Sequence, residues 1–182
     1  MYTFHMALEF EIVPAQPEDA ARIGELRAGS WQQQYSDLPG IDPEWIAGKI
    51  ARMTSDVGND LRAEAIAQSV DPDAHGFWRV ARLTEDDHDI IGFVDARKLD
   101  GNQELRSIHI TDGLRGLGVG QALMDAAHDW FDDDTPVFLD VAQENRRAQA
   151  FYARSTNDYH PTDYTYTYEQ LDMMRMQREA RE

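Results

Sequence analysis

At 182 residues with 42% hydrophobic content, the chain suits one globular domain (1–182) with a core of its own. It contains no cysteine, which excludes a disulfide framework, a thiolate nucleophile and a cysteine metal site, and its six histidines show no HExxH or paired spacing that would hold a metal. A formal net charge of -17 repels nucleic-acid phosphates and anionic membranes, no apolar run reaches spanning length, and Met1 to Phe10 lacks the cationic start and apolar core of a secretory leader, so a cytoplasmic protein is expected.

Leu8 to Pro14 alternates apolar and polar residues (Leu8, Phe10, Ile12) and reads as a half-buried strand. Pro17-Glu18-Asp19 is a helix start, with proline in the first turn and acids at the positive end of the dipole. The helix that follows carries Ile23, Leu26 and Trp31 on or near one face. Leu38-Pro39-Gly40 breaks it, and Pro43 opens a second helical stretch through Ile50. Between 54 and 75, Leu61 to Val70 is read as a further helix and Asp71-Pro72-Asp73 as loop. From Gly76 the period changes to two: Phe77 to Leu83 and Ile90 to Ala96 flank the acidic turn Glu85-Asp86-Asp87 as an antiparallel hairpin. Gly101-Asn102 turns the chain into a fourth strand, Glu104 to Ile110.

The run Arg115-Gly116-Leu117-Gly118-Val119-Gly120 then precedes an amphipathic helix, Gln121 to Phe131. Glycines let successive N–H groups converge on an anion, because no Cβ blocks the approach and φ can turn positive. The helix behind them adds unpaired N–H groups and a favourable dipole, so the run reads as a pyrophosphate cradle. A P-loop is excluded, since Gly-Gln-Ala stands where Gly-Lys-Ser/Thr is required. A dinucleotide fold would use Asp140 as its ribose acid, yet the G-x-G-x-x-G spacing fails at Gln121, and the glycines start several residues after the strand.

Asp132 to Pro136 stops the helix. A fifth strand Val137 to Val141, a helix Asn145 to Arg154, the alternation Tyr164 to Tyr168 and a last strand Leu171 to Met176 complete the chain. This order, with the glycine run after the fourth strand and Asn145-x-x-Ala148-x-x-Phe151-Tyr152 after the fifth, resembles the GNAT superfamily of acyl-CoA-dependent N-acyltransferases from about Leu8 to Met176. The resemblance implies an α+β fold of three layers. Its sheet is mixed, mostly antiparallel and about seven-stranded, splayed between strands 4 and 5 at a bulge, with helices on both faces.

The same resemblance implies acetyl-CoA as co-substrate, without a metal, and assigns the cofactor contacts. The backbone of Ile108, His109 and Ile110 would pair with pantetheine like an added strand. Arg115, Gly116, Leu117, Gly118, Val119 and Gly120 would bind pyrophosphate, the arginine side chain supplementing the N–H groups, and Asn145 would touch the cofactor edge. Tyr152 matches the tyrosine near the thioester sulfur, where a phenol can protonate a departing thiolate. An acceptor amine must also lose a proton. Glu104 and Asp140 stand where some relatives place a catalytic carboxylate, and His109 is a third candidate base. Trp31, Tyr35 and Tyr164, with Tyr166 and Tyr168, come from acceptor-wall segments, although packing alone also explains the tyrosine alternation.

The partner so implied is a small-molecule or peptide amine, with no nucleic acid and no membrane, and a homodimer is a further expectation. The acidity suits cationic acceptors such as polyamines, aminoglycosides or basic peptides; it equally suits solubility or a proteome-wide bias. Two alternatives stay open: a non-catalytic acyl-CoA-binding module on the same fold, and a longer acyl chain. One departure from the family pattern is Ser155-Thr156-Asn157-Asp158-Tyr159 where a glycine-aromatic pair is common. Asn157 is expected to take the left-handed conformation in glycine's place.

Overall fold

The computed structural model describes residues 8–71, 75–85 and 89–181. Pro72 and Asp73 of the expected loop, and Asp86 and Asp87 of the acidic turn, lie outside the described residues. The elements are β1 (Phe10–Pro14), a 3-10 turn (Pro17–Asp19), α1 (Ala20–Tyr35), α2 (Pro43–Thr54), α3 (Asp56–Gln68), β2 (Gly76–Leu83), β3 (Ile90–Leu99) and β4 (Asn102–Ile110). They continue with α4 (Val119–Trp130), β5 (Val137–Ala142), α5 (Arg146–Tyr152), β6 (His160–Tyr168) and β7 (Leu171–Arg178). The strands form one sheet in the order β1-β2-β3-β4-β5-β7-β6, antiparallel except for the parallel pair β4-β5.

Most expected elements stand, with local chemistry moving their ends. α3 begins at Asp56, not near Leu61, because the Ser55 hydroxyl accepts from the Gly58 N–H at 3.1 Å and starts the helix directly after α2. Arg62 then ties α3 to its neighbours, donating to the carbonyls of Ala20 (2.7 Å) and Met53 (3.0 Å). α5 is one turn shorter than its motif, entered through Asn145, whose side chain accepts from the Ala148 N–H at 3.1 Å. β6 starts at His160, before the tyrosine alternation that announced it.

Helices cover both faces of the sheet. On one, Ile23 and Leu26 of α1 and Ile66 of α3 pack on Trp78, Val80, Ile90 and Phe93. On the other, Val119, Leu123, Met124 and Ala127 of α4 pack on Ile91, Val94, Leu105 and Leu139. Full burial of each such aliphatic side chain is worth roughly 1.5–3 kcal/mol. β4 and α4 approach so closely that a Cβ on Gly92 would lie 2.9 Å from the His109 carbonyl oxygen and 3.1 Å from a Leu123 methyl. Gly92→Ala must therefore push β4 from β3, and thermal unfolding of that variant is expected to show a loss of about 1–3 kcal/mol.

The sheet opens between β4 and β5. Only Gln103 opposite Val137 and Glu104 opposite Phe138 are paired; beyond them β4 turns away while β5 stays on β7. The fork is latched by buried Gln103, which donates to the carbonyls of Asp132 and Thr135 (both 2.9 Å) and accepts from the Asp132 N–H (2.7 Å). Just above it the β3-β4 register slips: Asp95 faces Ser107 and Ala96 faces Leu105, leaving Arg106 as the extra residue of a bulge. Behind the bulge, Arg27 of α1 donates through Nη2 to Asp95 Oδ2 and to Ser107 Oγ, both at 2.8 Å, and Asp95 is 1% exposed.

Candidate active site

The glycine run leaves β4 and enters α4 as its motif suggests. Gly116 (φ 83) and Gly118 (φ 90) are left-handed, and Gly118 is the N-cap of α4. A side chain at Gly118 would be strained even though open space surrounds it. Val119 turns into the core and Leu117 out to solvent, so the run presents backbone, not side chains. A pocket of about 320 Å³ lies against it, also lined by Ile108, Ile110, Asn145 and Tyr152.

The β4 wall of this pocket follows from strand alternation. Thr111 N–H donates to the Ile91 carbonyl (2.8 Å), so Thr111, His109 and Ser107 turn their backbone groups to β3. Ile108 and Ile110 consequently turn theirs toward the open fork. His109 also lines the pocket, but its backbone serves β3 and its carbonyl faces Gly92. Its ring lies on the α1 face, 5.2 Å from Phe93, with Nδ1 buried and unpartnered among the described residues.

Burial, with Arg27 and Arg115 nearby, pushes the His109 pKa from 6.5 down to about 3, and burial with Arg178 and Arg181 nearby lowers that of His128 to about 4. Both are neutral in the folded state, whereas the unfolded chain takes up protons near pH 6.5. Their contribution is complete above about pH 6.5 and is lost as pH falls toward 4 and then 3. Denaturant titrations at neutral and mildly acidic pH should show lower stability in acid, with a smaller difference in His109→Gln than in the unsubstituted chain.

α1 and α5 close the far side. Asn145 donates through Nδ2 to Gln34 (2.7 Å), and its side chain also hydrogen-bonds the Tyr35 hydroxyl. Tyr152 lies beneath, its ring edge-on to Tyr159, and burial followed by the neighbouring Tyr35 raises its pKa well above the ordinary phenol value. Arg115 is not a free supplement to the cradle: it donates to Asp112 Oδ1 (2.8 Å) and to Gln33 Oε1 (2.7 Å), because the loop folds its side chain onto α1.

Neither expected carboxylate lines this pocket. Glu104 sits at the root of the fork, ion-paired with Arg97, in a second cleft of about 260 Å³ with Phe138 and Arg175. Asp140 accepts two bonds from Arg175 (2.9 and 3.0 Å) and one from the Tyr166 hydroxyl (3.2 Å). The Arg175 guanidinium is held between the rings of Phe138 (3.9 Å) and Tyr164 (4.5 Å). Tyr164 thus lies beside this second cleft through its contact with Arg175, whereas Trp31 and Tyr35 pack edge-on at 5.1 Å in a separate apolar cluster with Ile46, Ala142 and Leu171. Among the described residues no group of three or more His, Asp or Glu is placed to hold a metal ion, and no helix is long and apolar enough to cross a membrane.

At the end of α5 the left-handed residue is Asp158 (φ 62), not Asn157. Asn157 is fully buried: its amide donates to the Phe151 carbonyl (2.8 Å) and its oxygen accepts from Gln121 (2.7 Å). Backbone bonds from the Asp158 N–H to the Arg154 carbonyl (2.7 Å) and from the Tyr159 N–H to the Tyr152 carbonyl (3.1 Å) close the helix end beside that side chain, so the left-handed turn falls one residue later, at Asp158. Sequence reasoning also missed Ser30 and Gln34 of α1, and Arg147 and Arg154, all of which line the pocket. Arg147, Phe151 and Arg154 are spaced i, i+4, i+7, a one-face pattern that was there to be read.

Residues 43–156 match the model of the acetyltransferase (GNAT) family, and the chain belongs to that family and is an acyltransferase. No curated protein matches it. Solved structures similar in fold include the PaiA N-acetyltransferase from Thermoplasma acidophilum in complex with coenzyme A, at 20% identity and TM-score 0.73, covering 92% of this chain and 98% of that one. The ribosomal-protein-S5-alanine acetyltransferase from Vibrio fischeri is also similar (11% identity, TM-score 0.67, 98% of this chain and 96% of that one). A histone acetyltransferase HPA2-related protein from Corynebacterium glutamicum shares 17% identity at TM-score 0.61, covering 96% of this chain and 98% of that one.

Proposed function

We propose that this acyltransferase moves an acetyl group from acetyl-CoA to a primary amine of a small molecule or peptide by direct attack on the thioester. The observation that carries the reading is the single pocket that joins the glycine cradle, the fork-facing strand residues Ile108 and Ile110, and Tyr152. The cradle's N–H groups suit a pyrophosphate and the open edge of β4 suits the amide arm behind it. Binding would then hold the thioester at attack distance, which supplies much of the rate.

The amine nitrogen bonds to the acetyl carbon, and the carbon–sulfur bond breaks as the tetrahedral intermediate collapses. Tyr152 gives its proton to the departing thiolate; burial keeps the phenol protonated until that moment. Glu104 is the better placed carboxylate to take the amine's proton, since its Arg97 partner is 47% exposed and can move aside, whereas Asp140 is held by Arg175 and Tyr166 together. Trp31 and Tyr35 on α1, and Tyr164 over the second cleft, would wall the acceptor side. The tests are a thiol-release screen with acetyl-CoA over polyamines, aminoglycosides and peptide N-termini, and the same screen on Glu104→Gln. Release with at least one amine is expected, reduced in Glu104→Gln; tight acetyl-CoA binding without release across the panel would instead mark a non-catalytic acyl-CoA-binding module.

The cradle gives a second check. Gly118→Ala should lose about 1–2 kcal/mol of stability from its left-handed φ, because a Cβ is disfavoured there, and should raise the KM for acetyl-CoA. Unchanged KM would separate the glycine run from cofactor binding.

A further inference from the structure

On the α4 side of the sheet, away from the cradle, three polar side chains are buried together: Arg178 is 4% exposed, Tyr159 0% and His128 8%. Topology brings them into contact. His160 pairs with Gln177, which sets Tyr159 beside Arg178 where β6 begins and β7 ends, and α4 lays the His128 ring 5.9 Å from that of Tyr159. Four atoms of this trio are buried without a hydrogen-bond partner among the described residues: Arg178 Nε and Nη1, the Tyr159 hydroxyl and His128 Nε2. The two guanidinium nitrogens and the phenol are donors, and His128 Nε2 donates in one of its neutral tautomers.

An orphaned buried donor costs stability, and an unpaired buried charge costs most. Carboxylates act on the trio only from its margins. Asp133 and Asp158 favour the Arg178 charge, yet Asp133 bonds Arg181 (3.5 Å) and Asp158 bonds His160 (3.0 Å), while Asp125, which acts on His128, accepts from Gln121. A water molecule accepting from these donors would leave the guanidinium charge uncancelled; an anion satisfies the donors and the charge together. We propose that Arg178, Tyr159 and His128 hold a buried monovalent anion of chloride size between α4 and the β6-β7 end of the sheet. Burial selects the anion, because chloride and bromide give up their water more readily than fluoride, sulfate or phosphate. The site also braces the end of α5, since the Tyr159 N–H donates to the Tyr152 carbonyl (3.1 Å) and the two rings meet edge-on. It needs no acyl donor and stands or falls apart from the acetyl-transfer reading.

The test is denaturant unfolding of the full chain as sodium chloride replaces sodium fluoride at constant ionic strength. If the folded chain alone binds one anion, its folding equilibrium constant rises about tenfold for each tenfold rise in chloride above the dissociation constant. Arg178→Met, which fills similar space without donors, should abolish that dependence. Tyr159→Phe should shift it to higher chloride, and Arg181→Gln, at an exposed arginine, should leave it unchanged. Should Arg178→Met fail to fold, Tyr159→Phe and a crystal of the unsubstituted chain grown in sodium bromide decide the matter. Anomalous scattering from that crystal should place bromide within hydrogen-bond reach of Arg178 Nε and the Tyr159 hydroxyl. No chloride dependence in the unsubstituted chain, a dependence unchanged in Arg178→Met or in Tyr159→Phe, or water alone at the trio in the bromide crystal would each overturn the site.

Discussion

Tyr152→Phe is expected to lower kcat for thiol release about 100-fold, the lower range for losing a positioned proton donor, while the KM for acetyl-CoA moves less than about threefold. Phenylalanine keeps the ring contacts with Phe151 and Tyr159, so the fold and the pocket wall survive and only the hydroxyl is lost. A thiolate leaving without a proton is a poor leaving group in a dry site, which places the penalty on turnover, not on binding. The Tyr152 phenol is held above its ordinary pKa by burial and by Tyr35. It is therefore protonated throughout the neutral range, and loss of activity above neutral pH should not track its ionisation. If Tyr152→Phe raised KM and left kcat unchanged, Tyr152 would be a wall of the cofactor pocket and the proton would come from water.

Asp95→Ala carries the largest expected cost in stability. Asp95 is 1% exposed and its carboxylate faces Arg27, Ser107 and, at 3.7 Å, Arg106. Removing it leaves Arg27 without its counter-charge against Phe93, where the guanidinium lies 5.4 Å from the ring centre. Breaking a buried pair costs about 3–5 kcal/mol, and Arg27 is 22% exposed on its side chain, so the lower end applies. For a chain of this length about 3 kcal/mol corresponds to a fall in Tm of roughly 6–12 °C. Asp95→Asn should lose less, because the amide oxygen can still accept from Ser107 and Arg27. A loss below about 1 kcal/mol for the alanine variant would mean that water already screens the pair.

Individual residues show how much of this was legible along the chain. The period-two segments Phe77 to Leu83 and Ile90 to Ala96 lie within β2 and β3, because alternating apolar residues can bury one face only as strands. Gly116 and Gly118 take the positive φ that their motif implied, since the conformation is local and glycine is its cheapest occupant. The start of α3 was missed although Ser55 was visible, because Val57 and Leu61 are exposed and so blur its helical pattern. The shift from Asn157 to Asp158 could not be read, since it depends on Gln121, 36 residues earlier in the chain. Glu104 and Asp140 were sound as residue types. Outside the cofactor pocket they pair with arginines on neighbouring strands, Glu104 with Arg97 across the β3-β4 hairpin and Asp140 with Arg175, which lies 35 residues away.

By itself the sequence determined the family, the α+β class and the cofactor-side motif, because those rest on local backbone preference, periodicity and the spacing of two motifs. Tertiary structure alone decided which charges meet. It ties Arg27 to Asp95 and Arg175 to Asp140, and it leaves Arg147 and Arg154 facing the pocket. Ion pairing depends on distances of a few ångströms between segments far apart in the chain, and no local pattern encodes them.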